Sequence, residues 1–328
     1  MPCEVMYEKA DEISLSLRKG AILGSTEAAI KILKLISEAS RECKHEFPSF
    51  LIKSIPQFIS ARPTSQVMLN LTRMFLERFL DRSREKGLDE ALIETPAIVE
   101  RLINEINEVR EVVAEVGSRR IEDGDVILTH SFSSTILQMF KKALSRGTKF
   151  EVYVTESRPV GEGKVMASSV GKLGIKTTLV VDSSVRYVMK NIDKVFVGAD
   201  AIAANGAVVN KVGTSAIALA AKEARTRVFV VAGLYKFGVE TVFGELIESI
   251  VLNDPELILP KEAMPQLAGK VLIKAPLFDV TPPEYIDAII TEKGLIAPQA
   301  IMLLIKEIYG WPPKVKSIEA LLNEVLRG

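Results

Sequence analysis

The sequence predicts an α/β protein in which a helical N-terminal domain, residues 1–118, precedes a parallel-sheet domain, residues 119–328. Three observations predict it. Up to about residue 118 the apolar residues recur at helical spacing. From Ile121 onward, short β-branched runs alternate with helical patterns. Those runs lack polar alternation, which suits strands buried on both faces of a sheet.

In the first region, Glu27–Ala39, Gln66–Arg82 and Pro96–Val116 are long segments with one charged face. Pro48, Pro56 and Pro63 are read as marking the connections. A last helix, Ile98 to about Arg119, leads into the second region. Strands are expected near Asp125–Thr129, Phe150–Thr155, Thr177–Val181, Lys194–Val197, Val228–Ala232 and Ala288–Thr291. Helices are expected at Ser133–Leu144, Gly163–Leu173, Ser183–Met189 and Gly213–Ala224. Strands alternating with helices connect right-handedly and build a mostly parallel sheet.

Lys+Arg and Asp+Glu balance at 42 each, so net charge gives no general reason to expect nucleic-acid binding. The cysteines, Cys3 and Cys43, have no CxxC partner, which argues against a disulfide framework and a thiolate zinc site. Only two histidines occur, His45 and His130, and no metal-ligand spacing is evident. No apolar run has the length of a membrane span and the N-terminus lacks a signal-peptide pattern, so a cytoplasmic protein is expected.

In an open parallel sheet, ligands bind at the carboxyl ends of the strands. The residues gathered there are His130 and Ser131, Thr155–Arg158, Asp182–Ser184, Gly198–Asp200, and then Val209–Thr214 and Tyr235–Phe237. The stretch Asp125–Thr135, DVILTHSFSST, runs from a strand through a hydroxyl cluster into a helix start, whose free N–H groups suit a phosphate. This edge could hold an anionic, polyhydroxy ligand such as a sugar phosphate. Capping alone would explain Asp182, Ser183, Ser133 and Thr135. Gly213-Thr214 resembles an anion cradle, and Gly161-Glu162-Gly163 reads as a turn. Asp200 ends an apolar strand, so its carboxylate is either desolvated or paired with Lys211 or another cation. His130 reads as a satisfied structural group. Neither GxGxxG nor GxxxxGK[ST] is present, and no cofactor is expected.

The segments IEDGDVILTHSFSST, YVTESRP, VVDSSVRYVM, VGADAIAANGAVVNKVGT, YKF and FDVTPPEYIDAIITEKG span residues 121 to about 300 in order. Together they resemble the family shared by the alpha, beta and delta subunits of translation initiation factor 2B, methylthioribose-1-phosphate isomerase and ribose-1,5-bisphosphate isomerase. The resemblance implies a Rossmann-like C-terminal domain and assembly into dimers or higher homo-oligomers, built partly by Phe278–Gly294 and the tail through Trp311. It also implies that Lys19-Gly20-Ala21 and Arg62 help hold a phosphate. In the isomerases a cysteine and an aspartate move a proton between C2 and C1 of an opened sugar phosphate. The aspartate maps to Asp200, whereas the cysteine maps to Ser131. A serine hydroxyl is a far weaker acid than a thiol and needs an adjacent base. Ser133, Arg158, Asn210, Lys211 and Lys236 complete the implied pocket. On this reading the chain is a regulatory factor 2B-like protein that binds a sugar or nucleotide phosphate, with initiation factor 2 subunits as candidate partners. The alternative is a ribose-1,5-bisphosphate isomerase, with Asp200 and Ser131 catalytic. A purely structural oligomer subunit is a third reading.

Overall fold

The computed structural model describes residues 2–243, 251–252, 257–259, 262 and 271–327. Helices α1 (Pro2–Arg18), α2 (Ser25–Glu42), α3 (Phe47–Ala61), α4 (Gln66–Lys86) and α5 (Leu88–Ser118) form the N-terminal layer. Their apolar faces meet in one core that holds the fully buried rings Phe47, Phe50, Phe58, Phe75 and Phe79. Pro48 stands in the first turn of α3, where a missing N–H costs nothing, but Pro56 lies inside α3 and does not mark a connection. The last helix of this layer begins at Leu88, earlier than its apolar rhythm suggested, and contains Pro96.

The second region begins with β1 (Val126–His130), α6 (Ser134–Ser145), β2 (Glu151–Thr155), α7 (Gly163–Gly171), β3 (Lys176–Val180), α8 (Val185–Val188) and β4 (Lys194–Val197). The chain continues through β5 (Ala201–Ile202), β6 (Val208–Lys211), α9 (Thr214–Ala224), β7 (Arg227–Val231), β8 (Val251–Leu252) and β9 (Ala275–Pro276). It ends with β10 (Phe278–Thr281), β11 (Ala288–Thr291), β12 (Gly294–Ile296), α10 (Ile301–Tyr309) and α11 (Ile318–Arg327).

Among the described residues the main sheet has the order β12-β11-β7-β4-β1-β2-β3. Every neighbouring pair is parallel except β11 with β12. Apolar side chains cover both faces. Val113, Ile136, Met139 and Phe140 pack on one side, and Val188, Ile217, Ala218 and Ile301 on the other. All six strands expected from the sequence appear, within a residue or two at their ends. A second sheet, β10-β6-β5, is antiparallel, and its β6–β10 register sets Lys211 against Phe278 and Asn210 against Asp279.

Two features tie distant segments together. Helix α11 returns to the helical layer, where Ile318, Leu321, Leu322 and Val325 join the core of α1–α5. Cys3 and Cys43 form a disulfide with a Cα–Cα distance of 4.6 Å, against the sequence expectation. The pairing follows from helix geometry: Cys3 opens α1 and Cys43 closes α2, so antiparallel packing of these helices sets the two ends side by side. Of the aromatic residues assigned to an oligomer surface, Phe278 is buried, Tyr285 is partly buried against the sheet core, and Trp311 is 57% exposed. No helix of the described residues is long and apolar enough to cross a membrane.

Leu321 is 1% exposed in the shared helical core. Leu321→Ala is therefore expected to cost about 2–5 kcal/mol, read as a lower urea midpoint at unchanged slope. A variant as stable as the parent would mean that α11 does not dock there.

Candidate functional site

The site is built where β1, β4 and β6 end beneath the start of α4. Strand β1 stops at His130, and Ser131 turns the chain with φ +66°, a left-handed conformation unfavourable for a residue bearing a Cβ. The Ser131 N–H donates to Ser157 Oγ at 2.8 Å, which fixes that turn. The chain then enters α6, where Ser133 Oγ caps the helix by accepting from the Ile136 N–H at 3.3 Å. Strand β4 ends in Gly198-Ala199-Asp200, and β6 delivers Asn210 and Lys211.

These ends surround one cavity. Of the residues named from the sequence, Gly20, Arg62, Ser131, Ser133, Asp200, Asn210, Lys211 and Lys236 line it. Lys19 and Ala21, the neighbours of Gly20, are exposed and do not reach it. Arg158 is also absent from the lining. Its guanidinium turns outward to the carbonyl of Leu257, while its N–H donates to Asp182 Oδ2 at 2.7 Å.

Charges inside the cavity are paired. The Arg62 guanidinium donates to Asp200 Oδ1 at 2.7 Å, so the cation facing Asp200 is Arg62 rather than Lys211. Lys211 instead meets Glu162, its Nζ 2.9 Å from Oε1. The Ser131 hydroxyl donates to that same carboxylate oxygen at 3.1 Å. Lys236 Nζ donates to the Ala199 carbonyl at 2.6 Å. The ring of Phe278 lies beneath two of the cations, 5.3 Å from the Arg62 guanidinium and 4.8 Å from Lys211 Nζ. Burial lowers the Lys236 ammonium to about 8, despite the opposing pull of Asp200. Among the described side chains that line the cavity, two buried atoms have no hydrogen-bond partner: Arg62 Nε, a donor, and Glu162 Oε2, an acceptor.

Glu162 is the residue that sequence reasoning missed. It lies in Gly161-Glu162-Gly163, read as a turn, and is 6% exposed. A Cβ on Gly163 would fall 1.8 Å from the Thr155 carbonyl oxygen, so glycine alone lets α7 start against the end of β2. That close approach brings Glu162 to Ser131. The sequence signal was a carboxylate between glycines, a few residues beyond a strand end.

Other strand-end groups serve the scaffold. His130 Nε2 faces the Val212 carbonyl at 2.9 Å, which can only accept, so Nε2 carries the proton. Nδ1 therefore accepts from the Thr155 hydroxyl at 2.5 Å. Burial holds His130 below the usual imidazole range, which keeps the ring neutral. The Asp182 carboxylate accepts from the Ser157 and Arg158 N–H groups and so fixes the turn after β2, with no side-chain cap on its own helix. The Gly213-Thr214 cradle is filled from within, because Asp279 Oδ2 accepts from the N–H groups of Gly213 at 2.7 Å and Ser215 at 3.2 Å.

A parallel sheet with an anion-suited cavity at its strand ends, roofed by a helical layer, defines the class of protein. The profile of the Initiation factor 2 subunit family matches residues 18–298, and the chain belongs to that family. It is 38% identical over 313 residues to a ribose 1,5-bisphosphate isomerase of Pyrococcus furiosus, covering 93% of this chain and 95% of that one. It is 40% identical over 317 residues to the Methanocaldococcus jannaschii protein of the same name, covering 94% and 96%. Among solved structures, the translation initiation factor eIF-2B of Pyrococcus horikoshii OT3 superposes with TM-score 0.75 at 28% identity, covering 89% of this chain and 98% of that one. The 5-methylthioribose 1-phosphate isomerase of the same organism gives TM-score 0.72 at 26% identity, with 91% and 88% covered.

Lys236 gives the cavity a pH signature. A bound phosphate favours the charged ammonium, so affinity is full below about pH 8 and falls above it, by up to about tenfold per pH unit. Calorimetric titration with a sugar phosphate from pH 7 to 9.5 is expected to show that decline, and Lys236→Met is expected to flatten it at lower overall affinity. An equally steep decline in the variant would assign the effect to another group.

Proposed function

We propose that this chain is an aldose–ketose isomerase that converts ribose 1,5-bisphosphate to ribulose 1,5-bisphosphate. The observation that carries the reading is the convergence, in one cavity, of two buried carboxylates and a buried hydroxyl with three buried cations: Asp200, Glu162 and Ser131 with Arg62, Lys211 and Lys236. Relatives between 31% and 40% identical over more than nine-tenths of this chain carry the isomerase name, which favours the enzyme over a regulatory factor. The preference for a regulatory protein rested on Ser131 alone, and the structure supplies that serine with an adjacent carboxylate.

In this reading the start of α6, with its free N–H groups, and the side chains of Arg62, Lys211 and Lys236 hold the phosphates. Arg62 Nε is a donor left over for that purpose. Asp200, oriented by Arg62, exchanges protons with the sugar oxygens. Ser131 stands at the carbon that gives up its proton. Assembly of identical copies is part of the proposal, supported by the exposed apolar side chains Leu303, Ile308 and Trp311.

The test is a coupled assay of the purified protein for ribulose 1,5-bisphosphate formation. Wild type is expected to turn over. Asp200→Asn is expected to lower kcat by about 10² to 10⁴, the usual worth of a positioned acid–base group. Thermal stabilisation by ribose 1,5-bisphosphate without turnover would establish a binding protein on an isomerase-type cavity, the second reading that Ser131 motivates.

A further inference from the structure

We propose that Glu162 is the group that handles the carbon-bound proton in this cavity, exchanging it with the substrate through the Ser131 hydroxyl. The inference deepens the isomerase reading and rests on it. Its starting point is an imbalance: serine by itself is too weak an acid to hold or release the proton that an isomerisation moves. A serine in that role needs a carboxylate or imidazole at hydrogen-bond distance. His130 is not available, because both its ring nitrogens are engaged by Val212 and Thr155. Glu162 is, with Oε1 accepting from Ser131 Oγ at 3.1 Å.

Three further observations fit. Glu162 is 6% exposed, so its proton exchanges with the cavity rather than with bulk water. Oε2 is buried and has no partner among the described residues, leaving the carboxylate an acceptor site. The left-handed Ser131 backbone is held by a buried hydrogen bond from its N–H to Ser157, which fixes where the hydroxyl stands. Strain of this kind persists where the surroundings over-determine it, and it gathers at functional sites. The charged and titratable groups facing Glu162 are Lys211 on β6 and, within electrostatic reach, His130 on β1. Arg62 and Asp200 line the same cavity.

The proton ledger closes without any oxidant. Opening of the sugar ring sends the C1–O electron pair to the ring oxygen, which becomes a hydroxyl. The C2–H bond then breaks and its electron pair forms the C1–C2 double bond. The proton passes to Ser131 Oγ while the Ser131 proton passes to Glu162 Oε1. The relay reverses to place one proton on C1, as the 2-hydroxyl loses its proton and becomes the ketone. Over the cycle Asp200 takes the 2-hydroxyl proton and returns one to the ring oxygen.

The test compares wild type, Glu162→Gln, Ser131→Cys and the double variant in the same coupled assay, with kcat and KM measured for each. Glu162→Gln is expected to lower kcat about 100-fold or more and to change KM less than about threefold. In the Ser131→Cys background, where the thiol itself can hold the proton, the same substitution is expected to cost less than about fivefold. An equal loss in both backgrounds would make Glu162 a structural prop and overturn the inference. So would a Glu162→Gln enzyme that keeps most of its kcat. Should Glu162→Gln fail to fold, Glu162→Asp decides: about a tenfold drop in kcat with KM little changed supports the relay, and unchanged kcat overturns it. Wild type without turnover overturns the isomerase reading and the relay together, whereas turnover that ignores Glu162 overturns the relay alone.

Discussion

The buried ion pair between Arg62, at the end of α3, and Asp200, after β4, is the joint on which the cavity depends. Moving two such charges out of water carries an effective penalty of several kcal/mol per ion, which only good geometry and further hydrogen bonds offset. The pair is reinforced along the same seam. The Gln66 N–H, at the start of α4, donates to the Asp200 carbonyl at 3.2 Å. One turn on, Asn70 Nδ2 donates to the carbonyls of Tyr235 and Phe237, both at 2.9 Å, and so clamps the segment that carries Lys236. A single helix start therefore sets Asp200, Arg62 and Lys236 relative to one another. The helical layer forms a wall of the site as well as its roof.

Much of this was legible in the sequence, for a definite reason. The inner strands β1, β4, β7 and β11 of the main sheet are largely buried, so each is a short apolar run that stands out from its surroundings. Their ends must gather along one edge in a parallel sheet, which is why Ser131 and Asp200 fall together from the sequence alone, whereas Lys211 arrives on β6 of the second sheet and Lys236 on the turn after β7. The illegible parts are those decided by long-range pairing. Strand β5 has two residues, and β6 pairs with β10 some seventy positions later, so neither leaves a periodic signature. The Cys3–Cys43 link depends on two helices packing antiparallel, not on cysteine spacing.

Side-chain direction was the other blind spot. Lys19 stands beside Gly20, which lines the cavity, yet is itself exposed and outside it, and the Arg158 guanidinium turns to the Leu257 carbonyl instead. Adjacency at a strand end fixes where a backbone is and leaves the side chain free to turn. Glu162 shows the converse. Its position depends on a glycine that lets α7 approach the end of β2 closer than any side chain permits, and a lone turn signal does not announce that.

The cavity's carboxylates also bear on what kind of protein this is. A protein that only binds phosphate gains from unopposed positive charge, and each buried carboxylate near the anion works against it. Here Asp200 and Glu162 sit against Arg62 and Lys211, the two cations that share the face of Phe278. Their charge lowers affinity for the phosphates in the ground state. Such groups repay that loss where protons must move, since interactions that strengthen only in the transition state raise turnover rather than binding. In the proposed reaction a carboxylate next to the ring oxygens and another behind the serine would divide the two proton transfers that an aldose–ketose conversion requires. Asp200 also serves the joint with Arg62, but the Glu162 carboxylate beside Ser131 opposes an anion without holding that joint, and its place in the buried centre of the site argues for chemistry there.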